Sequence, residues 1–116
     1  MTTLDQAARR RVAIKSPKAA SASACEALEQ LPNVGPAMAG DLRQLGVHTP
    51  QHLIGQDAWQ LYRALEQATG KRQDPCVLDT LMAVIDFMQG AEPKPWWAYT
   101  AERKRQHGQC LGLPPA

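Results

Sequence analysis

Between Leu31 and Gly46 the chain reads Leu-Pro-Asn-Val-Gly-Pro-Ala-Met-Ala-Gly-Asp-Leu-Arg-Gln-Leu-Gly. Two prolines bracket Asn33-Val34-Gly35, so one helix has to end before this triplet and another begins at Pro36, where a missing N–H costs nothing. Met38, Ala39, Leu42 and Leu45 then fall on one face. Gly46 fits the left-handed position after the last helical turn, with Val47 folding back on Leu42. So short a turn between two helices aims several backbone N–H groups at one point, which is a ready site for a phosphate.

The same punctuation divides the rest of the chain. Ser23-Ala24-Cys25-Glu26 reads as a capping box, and with Cys25, Leu28 and Leu31 on one face it predicts a first helix over about residues 24–31. Thr49-Pro50 opens a short helical turn through Leu53 and Ile54, stopped by Gly55. Asp57 with Gln60 resembles a second capping box, ahead of a stripe of Ala58, Leu61, Tyr62, Leu65 and Ala68 that ends at Gly70. Asp74-Pro75 starts the longest helix, where Val77, Leu78, Leu81, Met82, Val84, Ile85 and Met88 occupy more than one face, so this helix belongs at the centre. Gly90 closes it, and Pro93-Lys94-Pro95 forms a stiff spacer to Trp96-Trp97-Ala98-Tyr99. No alternating β-branched run occurs, and the expected fold is all-α, a compact bundle of about five helices.

With 116 residues the chain is expected to form one domain over 23–105, preceded by a basic, disordered arm at 1–22 and followed by a flexible tail at 106–116. Some 70 residues of packed helix are enough for a core, though a thin one. One or both of Trp96 and Trp97 are therefore expected to fold back on it as an apolar lid. The competing reading makes them a stacking platform for nucleobases beside Arg103, Lys104 and Arg105. Net charge is +2, but it is unevenly spread. Arg9, Arg10, Arg11, Lys15 and Lys18 stand against Asp5 alone in the first 20 residues, whereas residues 21–95 carry five bases against nine acids. A polyanion would thus be attracted mainly by the ends, Arg9–Arg11 and Arg103–Arg105.

Three cysteines, Cys25, Cys76 and Cys110, have no C-x-x-C spacing and predict neither a disulfide framework nor a zinc cluster. With no apolar run of membrane-spanning length and no secretory leader, a cytoplasmic location is expected. His48 and His52 are four apart, yet Pro50 lies between them and a third ligand is missing, so they read as surface or capping residues. His107 and Cys110 fall in a Gly- and Pro-rich tail unsuited to a tetrahedral site. Cys76 sits in the first turn of a helix, where a thiolate is favoured, but without a base it reads as a buried structural residue rather than a nucleophile. Asp79 and Asp86, two turns apart, read as a solvated stripe. No catalytic, metal or cofactor site is expected.

The stretch from Leu31 to Leu42 resembles the helix-hairpin-helix motif, with Asn33-Val34-Gly35 as the turn and Ala39 as its alanine. Together with Gly46-Val47-His48-Thr49-Pro50-Gln51-His52-Leu53, Asp74-Pro75-Cys76-Val77-Leu78-Asp79 and Pro95-Trp96-Trp97, it resembles the small bacterial pathogenicity-locus family, some members of which are labelled mitomycin resistance. The hairpin half is also similar to the C-terminal domain of the competence regulator TfoX. The resemblance spans about residues 24–105 and implies a SAM-like helix-hairpin-helix bundle. It also implies a non-enzymatic module that binds DNA without reading sequence, with a link to DNA damage or repair. Carried onto this chain, the DNA contacts are the backbone of Asn33, Val34, Gly35, Ala37 and Met38, aided by Arg43 as the nearest cation and by Arg9, Arg10, Arg11, Arg103, Lys104 and Arg105. The chain departs from the motif in Asn33 for a glycine, in Pro36, which has no N–H, and in lacking the usual lysine where Ala37 and Met38 stand. Two other readings remain: a protein-interaction adaptor whose acidic helical surface docks a basic partner, and a redox or enzymatic role for Cys76.

Overall fold

The computed structural model describes residues 18–112, and side chains as far as residue 108. Four α-helices follow one another: α1 (Pro36–Gln44), α2 (Ala58–Thr69), α3 (Pro75–Met88) and α4 (Thr100–Gly112). Short 3₁₀ turns at Ala22–Ala24, Leu28–Gln30, Pro50–Leu53 and Trp96–Tyr99 complete the regular structure, and no strand is present among the described residues. As its two-sided apolar pattern predicts, α3 is the centre. Leu78, Leu81, Ala83, Val84, Ile85, Phe87 and Met88 are all buried, and α3 packs against α2, α4 and three of the four turns.

Helix ends follow the punctuation closely. At the end of α1 the Val47 N–H donates to Leu42 O at 2.9 Å and the Gly46 N–H to Arg43 O at 3.0 Å, with Gly46 at φ 90°. This paired closure is the Schellman arrangement, and it leaves Val47 buried against the core. The end of α3 repeats it: Ala91 N–H donates to Asp86 O at 3.0 Å and Gly90 N–H to Phe87 O at 3.1 Å. At the start of α2, Asp57 Oδ1 accepts from the N–H groups of Trp59 at 2.8 Å and Gln60 at 3.2 Å.

The first predicted helix does not form. Cys25 (φ −89°, ψ 111°) and Ala27 (φ −130°, ψ 151°) are extended, and they separate two 3₁₀ turns. The reason is that Gln30, not Ser23, captures the free amides: its Oε1 accepts from Glu26 N at 2.8 Å and Ala27 N at 2.9 Å. Ser23 meets only the Ser21 hydroxyl, at 3.1 Å. Cys25, Leu28 and Leu31 are nevertheless fully buried, because a spacing of three suits the 3₁₀ period as well as an α-helical face.

Contacts and helix run past residues 22 and 106, the expected limits of the arm and the tail. Ala19 N–H donates to Gln30 O at 2.8 Å, and Ala19 and Ala22 pack on the core, so the folded unit begins inside the expected arm. At the other end α4 continues through Gly112, past the expected start of a flexible tail at residue 106. Arg9, Arg10 and Arg11 lie outside the described residues, as does the side chain of Cys110.

Candidate nucleic-acid interface

Leu31, Pro32 and Val34 are buried, and they seat the turn between the Leu28–Gln30 bend and α1 on the core. Reversal of the chain falls to Asn33, at φ 68° the one non-glycine with positive φ among the described residues. Asparagine tolerates this region better than other side chains, and here it also works as a pin: Asn33 Nδ2 donates to Lys94 O at 2.8 Å. From the opposite side Lys18 Nζ donates to Glu29 O at 3.0 Å and Val34 O at 2.5 Å. Partial burial at this site holds the Lys18 ammonium below the usual lysine pKa. Burial likewise raises the neighbouring Cys25 thiol, against the pull of the Lys18 charge. The turn is therefore where the N-terminal arm joins the fold and where the Pro93–Pro95 spacer crosses it.

Gly35 precedes α1 with φ −97° and ψ −175°, extended backbone open to any residue, and a Cβ placed there would meet nothing within 4 Å. No side chain caps the first turn of α1. Gly35, Pro36 and Ala37 are exposed and Met38 half-buried, so the end of the helix faces outward. Val34 differs from the other predicted backbone donors, because its N–H already serves Leu31 O at 3.3 Å and its side chain is core.

The segment after the spacer is held by polar contacts. Asp79 is fully buried on α3, where its carboxylate accepts from Arg103 Nε and from the Thr100 hydroxyl, each at 2.8 Å. Two turns further along the same helix, the exposed Asp86 stands beside the Tyr99 hydroxyl. Burial first, and the Asp86 charge second, push the Tyr99 pKa up to about 12. Of the expected solvated stripe, Asp86 is exposed as read, whereas Asp79 is a buried anchor for the C-terminal segment. The Trp96–Tyr99 turn packs on α3 as expected, but Tyr99 is its most buried residue at 9% exposure, with Trp96 36% and Trp97 63% exposed. On a 3₁₀ turn residues three apart share a face, so Tyr99 and part of Trp96 turn inward and Trp97 is left outside.

A family model described as Pathogenicity locus matches residues 21–105. The chain belongs to that family. Among its relatives is the mitomycin resistance protein McrB of Streptomyces lavendulae, 41% identical over 78 residues that cover 67% of this chain and 74% of the relative. No solved structure matches the chain.

Of the four predicted basic contacts among the described residues, Arg43, Arg103 and Arg105 are already paired. Arg43 forms a two-pronged bridge to Glu29, Nη1 to Oε2 at 2.8 Å and Nη2 to Oε1 at 2.9 Å, which ties α1 to the Leu28–Gln30 turn and lowers the Glu29 pKa. Arg103 is committed to Asp79, and Arg105 bridges Glu102 three residues before it. Lys104 is exposed. His48 and His52 are both exposed, and no group of three metal-ligating side chains gathers among the described residues. Cys76 is half-buried at the start of α3 rather than sealed in the core; Cys25 is the sealed one.

Sequence reasoning missed Lys18 and Lys94 as the partners of the turn, and it missed the role of Trp59. That ring stacks on His107 of α4 with centroids 4.6 Å apart and planes 6° apart, and the Arg63 guanidinium lies 5.8 Å from its centroid. Asn33 did carry a signal: an asparagine replacing a glycine in a turn brings an amide that has to be satisfied. Nothing in the spacing of Trp59 and His107 marks them as neighbours.

Proposed function

We propose that this chain is a binding module, without enzymatic activity, that holds a nucleic-acid backbone without reading base sequence, using the outward end of α1 in the manner of a helix-hairpin-helix turn. One observation carries the reading. A glycine stands before the helix although neither its dihedrals nor its surroundings require one, and its lack of a side chain leaves the amides of Ala37 and Met38 open to close approach by a phosphate. Helix polarity adds a partial positive charge at that end. The paired states of Arg43, Arg103 and Arg105 move the long-range attraction to the basic arm, and Lys18 fastens the root of that arm to the turn itself. Arg11 lies seven residues before Lys18, which at full extension lets it reach about 25 Å from the turn. Through the printed name of its relative, mitomycin resistance is the process proposed for it.

Titrating the full chain with duplex DNA at several salt concentrations tests this. Affinity falls steeply with salt, and replacing Arg9, Arg10 and Arg11 by alanine lowers the log–log slope by about 2–3. Gly35→Val, which puts a side chain over the open amides, weakens binding about tenfold, equivalent to roughly 1.4 kcal/mol. Binding that is absent even at low salt, or that is indifferent to Gly35→Val, refutes the reading.

A further inference from the structure

We infer that Trp96 and Trp97 form a docking corner for unpaired nucleobases, so that the ligand is single-stranded or locally opened nucleic acid. This deepens the backbone-binding reading and rests on it. The indoles stand edge to face, with ring centroids 5.5 Å apart and planes at 86°, and Trp97 keeps 63% of its surface in water. Their exposure is not needed to hold the segment. Tyr99 is buried, Thr100 and Arg103 grip Asp79, and Asn33 clasps the Lys94 carbonyl on the other flank. Two of the three large exposed apolar side chains among the described residues therefore sit together on an anchored turn, and Trp97, the more open of the two, has no packing task that would keep it there.

The shape and charge of the corner select its occupant. An edge-to-face pair offers one flat π-surface with a second ring as a wall, rather than the groove a peptide helix needs. Base stacking on such a surface is tolerant of sequence, as the backbone reading requires. Lys94, exposed two residues before Trp96, supplies a cation for an adjoining phosphate. The Asn33–Lys94 contact also ties the two regions together: two residues of chain on either side of it keep Gly35 and Trp96 within about 25 Å. A single strand of several nucleotides spans that distance, with its phosphates toward the helix end and an unstacked base against Trp97.

The test compares three probes on the full chain: an oligothymidylate of about 20 nucleotides, an abasic strand of the same length, and the matching duplex. The oligothymidylate binds about tenfold tighter than the abasic strand, Trp97→Ala removes that advantage while leaving abasic affinity unchanged, and Trp97→Tyr keeps most of it. Because Trp97 is mostly exposed, Trp97→Ala keeps its circular dichroism spectrum. Equal affinity for thymidylate and abasic strands overturns the base corner while leaving the backbone reading intact. Binding of thymidylate alone, with abasic strand and duplex ignored, supports the corner and overturns the backbone reading. An equal loss on all three probes in Trp97→Ala, or a self-association that this substitution abolishes, assigns the indoles to structure or to a second copy and overturns the inference.

Discussion

Two ion pairs of the same 2.8 Å length hold the two ends of this fold, and they do different work. Arg43–Glu29 lies at the turn, with side chains 43% and 21% exposed, so water competes for both charges. Arg103–Asp79 lies under the C-terminal segment at 11% and 0%. Removing the arginine from the first pair leaves a carboxylate that water can solvate. Removing it from the second leaves a charge stranded in the core, with only the Thr100 hydroxyl beside it. Distance alone therefore says little about what a bridge contributes; burial decides whether losing it is tolerable.

Breaking the buried pair gives the largest expected effect. Arg103→Ala destabilises the chain by about 3–5 kcal/mol in denaturant unfolding, a large part of the 5–15 kcal/mol typical of a domain. Asp79→Asn with Arg103→Met in the same chain recovers much of that loss, because no bare charge remains. A value near that of a surface pair for Arg103→Ala would erase the contrast between the two ends.

Asn33 at the turn comes next. Asn33→Ala forfeits both the bond to the Lys94 carbonyl and the tolerance for positive φ, costing about 1–2 kcal/mol. Asn33→Gly keeps the backbone conformation and costs less than Asn33→Ala. If both cost the same, the side-chain pin rather than the dihedral governs this region.

Alkaline pH sharpens the comparison from the C-terminal side. The folded state raises the Tyr99 pKa to about 12, above its value in the unfolded chain, so the fold favours the protonated phenol. That contribution is complete below the unfolded tyrosine pKa near 10 and is lost as pH rises towards about 12. The urea midpoint falls across this window, and Tyr99→Phe removes part of the fall; Tyr62, also raised by burial, contributes in the same direction. The smallest effect belongs to the exposed pair: Arg43→Ala costs under about 1 kcal/mol and less at high salt.

What was readable in the chain was its punctuation. Pro36, Gly46, Asp57, Gly70, Pro75 and Gly90 act through their own backbone or through neighbours within a few residues, and each marks the helix end expected of it. The central place of α3 was legible too, since a helix apolar on several faces has to be covered on several faces. The failures share one cause. Residues 24–31 carry a spacing of three that two helix types satisfy, and Gln30 settled the choice by taking two amides. Asp79 shares with Asp86 a spacing that suits solvent, until a residue 21 positions later comes back to meet it. Trp96 and Trp97 have the composition of a lid, but the turn carries Tyr99 and part of Trp96 inward and leaves Trp97 in water.

The sequence by itself determined that the chain is all-helical, where its helices stop and that one of them is the core, because periodicity and capping act over a few residues. Only the tertiary structure decided which charges are spoken for and which aromatic surfaces stay open. Arg43, Arg103, Tyr99 and Asn33 found their partners on other elements, and that left Gly35, Lys94 and Trp97 facing outward. Pairing and exposure depend on what packing brings together, and a local pattern of residue types does not contain that information.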